Sequence, residues 1–129
     1  MPVRSLRSSV LKWPRPRDVE AAARLWAGRI GTADDNILRI GIFGSYATGR
    51  WGVGSDLDIV VVLRISHLPF EKRGLEFDAL ELPVHADVLV YTESEWKTGR
   101  AASRFRKSIA EQVIWVYERE DIRMLHVKG

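Results

Sequence analysis

The pattern of apolar and polar residues divides the first half of the chain into a helical and an extended segment. Apolar residues recur at helical spacing between positions 19 and 30, and Asp18 is placed to cap the start of this helix. Residues 31–36 have the composition of a turn. Residues 37–43 are rich in isoleucine and end at Gly44, which predicts a buried strand.

A short helical turn and a glycine-rich loop separate that strand from the next one. Residues 45–50 follow the strand directly and predict a single helical turn, and residues 52–54 predict the loop. Residues 56–63 predict a second strand and residues 84–91 a third. Residues 66–80 lie between them and predict a mostly helical crossover, with a proline in its first turn.

The last part of the chain predicts a helix and one more strand. Residues 92–110 have helical character, with Gly99 as a point that divides them into two pieces. Val113, Trp115 and Tyr117 then alternate with other apolar residues, as in a short strand. This succession predicts one α+β or mixed α/β domain built around a single sheet.

Composition narrows the class of protein. The chain has 129 residues, of which 46% are hydrophobic and 29% charged, as in an ordinary single soluble domain. It contains no cysteine, which excludes disulfides, thiolate metal sites and cysteine nucleophiles and favours a cytoplasmic protein. The longest apolar run, residues 59–63, is too short to span a membrane, and we expect neither membrane association nor an export signal.

Basic residues are concentrated at the N-terminus. Residues 1–17 hold five of them and no acidic residue, although the net charge of the whole chain is only +3. We therefore expect a basic tail over residues 1–17 and a domain over residues 18–129. The tail is either solvated and flexible or in contact with nucleic acid or an acidic partner. Arg100, Arg104 and Lys107 predict a basic stripe on one helical face, for which a solvated face is an equal alternative.

Two carboxylates, Asp56 and Asp58, open the second predicted strand. Side chains at positions i and i+2 of a strand share a face, with alpha carbons about 6.6 Å apart. Two like charges at that distance make each other's ionisation costly, and a divalent cation such as magnesium, which prefers oxygen ligands, removes the conflict. A turn or a solvated strand end is the alternative for a bare Asp-x-Asp pattern. The apolar run that follows favours a site at the rim of a core strand.

A third carboxylate, Asp87, interrupts the apolar third strand in the same way. It shares a face with His85, for which a supporting role and simple packing are both open, and with Leu89. If the second and third strands are neighbours, Asp87 completes a three-carboxylate cluster that could hold two metal ions about 3.5 to 4 Å apart. A charge on an edge strand is the alternative.

Gly44 and Ser45 have the chemistry of a phosphate-binding turn. Gly44 allows a close approach of the backbone, and Ser45 offers a hydroxyl and an amide. The helical turn that begins there directs its free N–H groups toward an anion. Ordinary turns share this composition, so the short spacing to Asp56 is what makes the feature informative.

The combined pattern resembles the G-S-x-A-x-G-x5-S-D-[IL]-D-[LIV] signature of the polymerase-beta-type nucleotidyltransferases, in their minimal (MNT) branch. The matching residues are Gly44, Ser45, Ala47, Gly49, Ser55, Asp56 and Asp58. The likeness extends more loosely over residues 37–118. It implies the nucleotidyltransferase fold, a small mixed β-sheet with helices packed mainly on one face.

The resemblance also implies an activity and a role for each matching residue. Asp56 and Asp58 would hold two magnesium ions, and Asp87 would bind the catalytic one and ease deprotonation of an acceptor hydroxyl. Gly44 and Ser45 would hold the β and γ phosphates of a nucleoside triphosphate. The other expected nucleotide-binding residues are Gly49, Arg50 and Ser55. The implied reaction is in-line attack on the α-phosphorus, which transfers AMP from ATP and releases pyrophosphate.

Minimal nucleotidyltransferases of this size often form one half of a bacterial toxin–antitoxin module whose other half is a helical HEPN protein. The resemblance therefore implies a partner protein or a small molecule as acceptor, a HEPN protein as a candidate partner, and a homo-oligomer as a further candidate. Two alternatives stay open. One is a non-catalytic antitoxin that masks a HEPN partner, and the other is an RNA-binding module that uses the basic tail and the basic stripe.

Overall fold

The computed structural model describes residues 14–52, 54–98 and 103–120. The elements are α1 (Pro16–Ala33), β1 (Ile37–Phe43), α2 (Ser45–Thr48), β2 (Leu57–Leu63), α3 (Phe70–Arg73), a 3-10 turn (Gly74–Glu76), β3 (Ala86–Thr92), α4 (Glu93–Thr98), α5 (Ser103–Gln112) and β4 (Ile114–Glu118). The predicted basic tail lies outside the described residues up to residue 13, and its last two residues belong to α1. None of the helices described is long and apolar enough to cross a bilayer.

The strands form one mixed, four-stranded sheet in the order β3-β2-β1-β4. β1 is antiparallel to both of its neighbours, β2 and β4, whereas β2 and β3 are parallel. A parallel pair needs a long crossover connection, which residues 64–85 supply. β3 therefore lies directly beside β2, as the predicted three-carboxylate cluster requires.

Both faces of β2 are apolar, and both are covered. One face packs against α1; the side chains in this cluster include Val19, Ala23, Trp26, Leu57, Ile59 and Val61. The opposite face packs against α4 and α5; the side chains there include Val60, Val62, Tyr91, Trp96 and Ile109. Helices thus lie on both faces rather than mainly on one, because each apolar side of β2 has to be removed from water.

The fold class is confirmed, and three local predictions need correction. Asp18 lies inside the first turn of α1 and does not cap it, because the helix begins at Pro16 after Arg15. α1 continues to Ala33 through the predicted turn, and the glycine at position 31 lets the helix backbone meet the ring of Tyr117, which a Cβ there would overlap. The crossover contains only seven residues of helix or 3-10 turn, Phe70–Arg73 and Gly74–Glu76. The α-helix gives way to the 3-10 turn at Gly74, which abuts the Val88 carbonyl of β3 and leaves no room for a side chain.

The other predicted elements lie where the sequence pattern put them. The four strands are confirmed within two residues at each end. The helix predicted over residues 92–110 is present as α4 and α5, and its predicted break at Gly99 lies outside the described residues. Within the predicted basic stripe, Arg104 and Lys107 are exposed on α5, and Arg100 lies outside the described residues.

Candidate active site

β2 and β3 place two aspartates side by side at one end of the sheet. The parallel register pairs Asp58 with Asp87. Because side chains alternate along a strand, both aspartates lie on the face that carries Val60 and Val62. A hydrogen bond of 2.8 Å joins the starts of the two strands: the Leu57 amide donates to the carbonyl of His85, the residue just before β3.

Asp56, His85 and Asp87 form an exposed cluster of side chains able to ligate a metal. One ligand atom from each lies within 4.8 Å of the others. His85 Nδ1 lies 3.5 Å from Asp56 Oδ1 and 4.0 Å from Asp87 Oδ1. The His85 side chain is 71% exposed, so it is part of the cluster surface and does not pack into the core.

Asp58 is the least exposed of the three carboxylates. Burial raises the pKa of the Asp58 carboxyl above its ordinary value, and the charges of Asp87 and Asp56 raise that pKa further. A carboxylate whose ionised form is disfavoured by burial and by like charges gains from a nearby cation. The donor set of three carboxylates and one imidazole therefore fits a divalent cation, and its oxygens suit magnesium.

Gly44 approaches Asp58 so closely that a side chain does not fit. Phe43, the last residue of β1, pairs with Asp58 in the sheet, and Gly44 follows with φ +78° and ψ −151°. A Cβ at this position would overlap Asp58 Oδ2. The Gly44 carbonyl accepts hydrogen bonds of 3.0 Å from the Ala47 and Thr48 amides, which starts α2. The turn that contains Ser45 is thereby held beside the carboxylates.

The remaining nucleotide-binding candidates shape the loop between α2 and β2. Gly49 ends α2 in the left-handed conformation, with φ +82°. Arg50 is exposed, and its amide donates to the Ser45 carbonyl at 2.9 Å. The Ser55 hydroxyl accepts a hydrogen bond of 2.8 Å from the Gly52 amide, so this side chain closes the loop.

Gln112, the last residue of α5, belongs to the site and was missed by the sequence-based prediction. Its Oε1 accepts a hydrogen bond of 2.6 Å from the Gly44 amide. The two residues are 68 positions apart, so no local spacing could have indicated the contact. Only the packing of α5 against the sheet brings them together.

A groove of about 900 Å³ runs along β3 and reaches the carboxylate cluster. His85 and Asp87 of the cluster line it, and so do Leu75 and Leu80. These two leucines are 85% and 92% exposed. The groove therefore joins an acidic site to an apolar surface.

Comparison with known proteins identifies the family. The family model of the nucleotidyltransferase domain matches residues 29–116, which contain the carboxylates, the Gly44 turn, the strands β1 to β3 and the first part of β4. The chain belongs to this family. The match confirms the resemblance to the minimal nucleotidyltransferases that the signature indicated. The chain is therefore a transferase domain of the nucleotidyltransferase type. No curated protein matches the chain significantly.

Two crystal structures share the fold of this nucleotidyltransferase domain. A candidate nucleotidyltransferase from Sulfolobus solfataricus superposes with a TM-score of 0.59 at 20% sequence identity, covering 81% of this chain and 85% of the other. A toxin–antitoxin with AMP-PNP superposes with a TM-score of 0.52 at 16% identity, covering 79% of this chain and 78% of the other. At these identities the likeness concerns the arrangement of helices and strands.

Proposed function

We propose that the protein is a magnesium-dependent nucleotidyltransferase that transfers AMP from ATP to a hydroxyl group of a partner protein or small molecule. The observation that carries this proposal is the register that pairs Asp58 with Asp87, beside Asp56 and against Gly44. Clustered acidic charge beside a glycine turn suits a metal-bound triphosphate. Membership of the nucleotidyltransferase family supports the same chemistry.

Three carboxylates divide the work of the proposed site. Asp56 and Asp58 would hold the two divalent cations, and Asp87 would contribute to the catalytic one. Cations held there would supply positive charge that offsets the negative charge on the attacking and the leaving oxygen. Asp87 is the carboxylate at the groove, so its carboxylate oxygen is placed to take the proton of an acceptor hydroxyl that enters along the groove.

The turn after β1 binds the other end of the nucleotide. In the proposal, the turn of Gly44 and Ser45 holds the β and γ phosphates through the Ser45 amide and hydroxyl, because the Gly44 amide is bound to Gln112. Gly49, Arg50 and Ser55 belong to the loop around them. The acceptor oxygen forms a bond to the α-phosphorus while the bond from that phosphorus to the pyrophosphate oxygen breaks. Pyrophosphate leaves on the side of Gly44, and the proton of the acceptor remains on Asp87.

Of the two acceptor classes in this proposal, the exposed surface favours a partner protein, and a HEPN-type helical protein is the candidate. Leu75 and Leu80 are almost fully exposed in the groove that Asp87 also lines, and apolar groups of this size near a polar site are typical of a protein-binding surface. The fold shared with a toxin–antitoxin supports a partner of that kind. The same surface would also serve a non-catalytic antitoxin that masks its partner.

Labelled ATP tests the proposal directly. The purified protein is incubated with magnesium, a candidate acceptor, and ATP labelled either on the α or on the γ phosphate. We expect α label on the acceptor, no γ label, and no transfer after chelation of the metal. Transfer of the γ label would show a kinase-type reaction and would contradict the proposal.

A double variant distinguishes nucleotidyl transfer from the alternative in which the protein only binds and masks its partner. If Asp56→Ala with Asp58→Ala still co-purifies with the HEPN partner and still suppresses its toxicity, binding alone is the function. If suppression is lost while co-purification survives, nucleotidyl transfer is required. The two outcomes differ in toxicity and not in binding, so loss of folding cannot produce either of them.

A further inference from the structure

Gln112 is held at both ends of its side-chain amide. Oε1 accepts from the Gly44 amide at 2.6 Å, while Nε2 lies 3.2 Å from the Ser108 carbonyl and 3.3 Å from the Ser108 hydroxyl. The nitrogen end can donate to that carbonyl, one helical turn earlier in α5, and the oxygen end cannot. The amide therefore has one favourable orientation, with its oxygen toward Gly44.

One face of α5 packs against the C-terminal end of β1. Phe105, Ile109 and Gln112 lie at helical spacing on the same side of the helix. The ring of Phe105 meets the ring of Phe43 edge-on, with centroids 6.2 Å apart, and Ile109 is buried in the core. Gln112 thus acts on Gly44 from a helix that is anchored by two apolar contacts.

The bond to Gln112 restrains the residue that touches Asp58. Gly44 has a φ and ψ combination that only glycine adopts readily, and its alpha carbon lies against Asp58 Oδ2. Because glycine can adopt many backbone conformations, its contacts decide which one it keeps. The first amides of α2 bind the Gly44 carbonyl, and the hydrogen bond to Gln112 restrains the Gly44 amide.

We propose that Gln112 is a positioning residue for the phosphate-binding turn. It holds the Gly44 amide, and thereby keeps Ser45 and the Asp58 carboxylate in register for one nucleoside triphosphate. This role rests on the proposed function, in which Gly44 and Ser45 hold the β and γ phosphates. It concerns triphosphate binding specifically, because AMP has no phosphate to place in that turn.

Nucleotide binding tests the role. Gln112→Leu has a similar size but no acceptor, so we expect Mg-ATP binding to weaken about five- to fifty-fold while AMP binding stays unchanged. Gln112→Glu keeps an acceptor oxygen and should recover part of the lost affinity. Glu111→Leu, an exposed position on the same turn of α5, is the matched control and should bind both nucleotides as the wild type does.

The Gly44 amide resonance gives a readout that needs no nucleotide. In the Gln112→Leu variant its proton should move upfield as the hydrogen bond is lost, and in Gln112→Glu it should stay near the wild-type position. Equal loss of ATP and AMP affinity together with a lower melting temperature would overturn the positioning role. Unchanged Mg-ATP binding in Gln112→Leu would overturn it too. A wild type that binds no Mg-ATP would instead overturn the proposed function.

Discussion

Asp58 and Asp87 occupy paired positions on two adjacent parallel strands, so carboxylates from distant parts of the chain share one face of the sheet. Burial and the neighbouring acids raise the pKa of Asp58, which means that the metal-free fold disfavours its ionised form. The nucleotidyltransferase domain therefore keeps an arrangement that costs stability without a cation. A loss of stability from clustered acidic groups is typical of a binding site.

Asp58→Asn distinguishes the effect of the Asp58 charge on stability from its role in nucleotidyl transfer. Because the folded-state pKa of Asp58 lies above its unfolded value, ionisation at pH 7 favours the unfolded chain. Removing the charge should leave the melting temperature in EDTA equal to or above that of the wild type. The same variant should lose nucleotidyl transfer.

Asp35→Asn is the matched control for that experiment. Its side chain is 96% exposed, and it lies just before β1, at the end of the sheet away from Asp58. It should keep both activity and stability. An Asp58→Asn variant as active as this control would contradict the metal-binding role of Asp58.

Gly44→Ala should damage the site more than the same change at Gly49. Both glycines have positive φ, but Gly44 combines it with a ψ of −151° that only glycine adopts readily, whereas Gly49 has the ordinary left-handed conformation. A methyl group at Gly44 would also overlap Asp58, and a Cβ at Gly49 has no neighbour within 4 Å. We expect Gly49→Ala to cost about 1 kcal/mol and Gly44→Ala about 2 to 3 kcal/mol. Urea unfolding measures the difference. Equal losses would show that neither the conformation of Gly44 nor its contact with Asp58 adds to the cost.

Arg73 and Glu95 form a contact on the α4 side of the sheet that we expect to be sensitive to acid. Arg73 is buried and donates to both Glu95 oxygens, at 2.6 and 3.1 Å. Its hydrogen bond lowers the pKa of Glu95, and a second bond, from the Thr92 amide, lowers it further. A carboxyl with a lowered folded-state pKa stabilises the fold above its ordinary pKa and loses that contribution as the pH falls through the folded value.

Glu95→Gln should therefore destabilise the domain by about 1 to 3 kcal/mol at pH 7, because the buried guanidinium loses its charged acceptor. The difference from the wild type should shrink below the ordinary Glu pKa of 4.5. Urea unfolding at neutral and acidic pH measures it. Glu20→Gln breaks an exposed pair with Arg24 and should change stability little at either pH. A Glu95→Gln penalty that stays constant with pH would disprove the linkage.

Leu80→Asp tests whether the groove receives the acceptor. Leu80 is 92% exposed, so the variant should keep the wild-type melting temperature and Mg-ATP affinity. Transfer to a partner protein should fall on the order of tenfold through a higher KM, since an apolar contact is replaced by a charge. Leu25→Asp, at an exposed position on α1 outside the groove, should transfer normally. Normal KM in Leu80→Asp would place acceptor binding elsewhere.

Local spacing was enough to predict the acidic and glycine residues of the site. Asp56 and Asp58 are two residues apart on one strand, and Gly44 ends the strand that precedes them, so their relation is set by the backbone over a short stretch. The place of Asp87 depended on the second and third strands being neighbours, which the order of the sheet confirms. The family signature then supplied the expected chemistry.

The features that could not be predicted from the sequence depend on tertiary packing. Gln112 meets Gly44 only because α5 packs on the sheet, and its own segment reads as an ordinary helix end. The crossover has helical composition, but its α-helix ends at Arg73, and the close packing of Gly74 against β3 could not be predicted from the sequence. The division of helices between the two faces likewise follows from both sides of β2 being apolar.

The most direct test of the account is calorimetric titration of ATP into the metal-free protein, with and without magnesium, for the wild type, Asp58→Asn and Asp35→Asn. We expect ATP binding by the wild type and Asp35→Asn only when magnesium is present, and none by Asp58→Asn. Binding of equal strength by all three proteins, or binding that chelation of the metal leaves unchanged, would contradict a carboxylate-held cation beside the Gly44 turn.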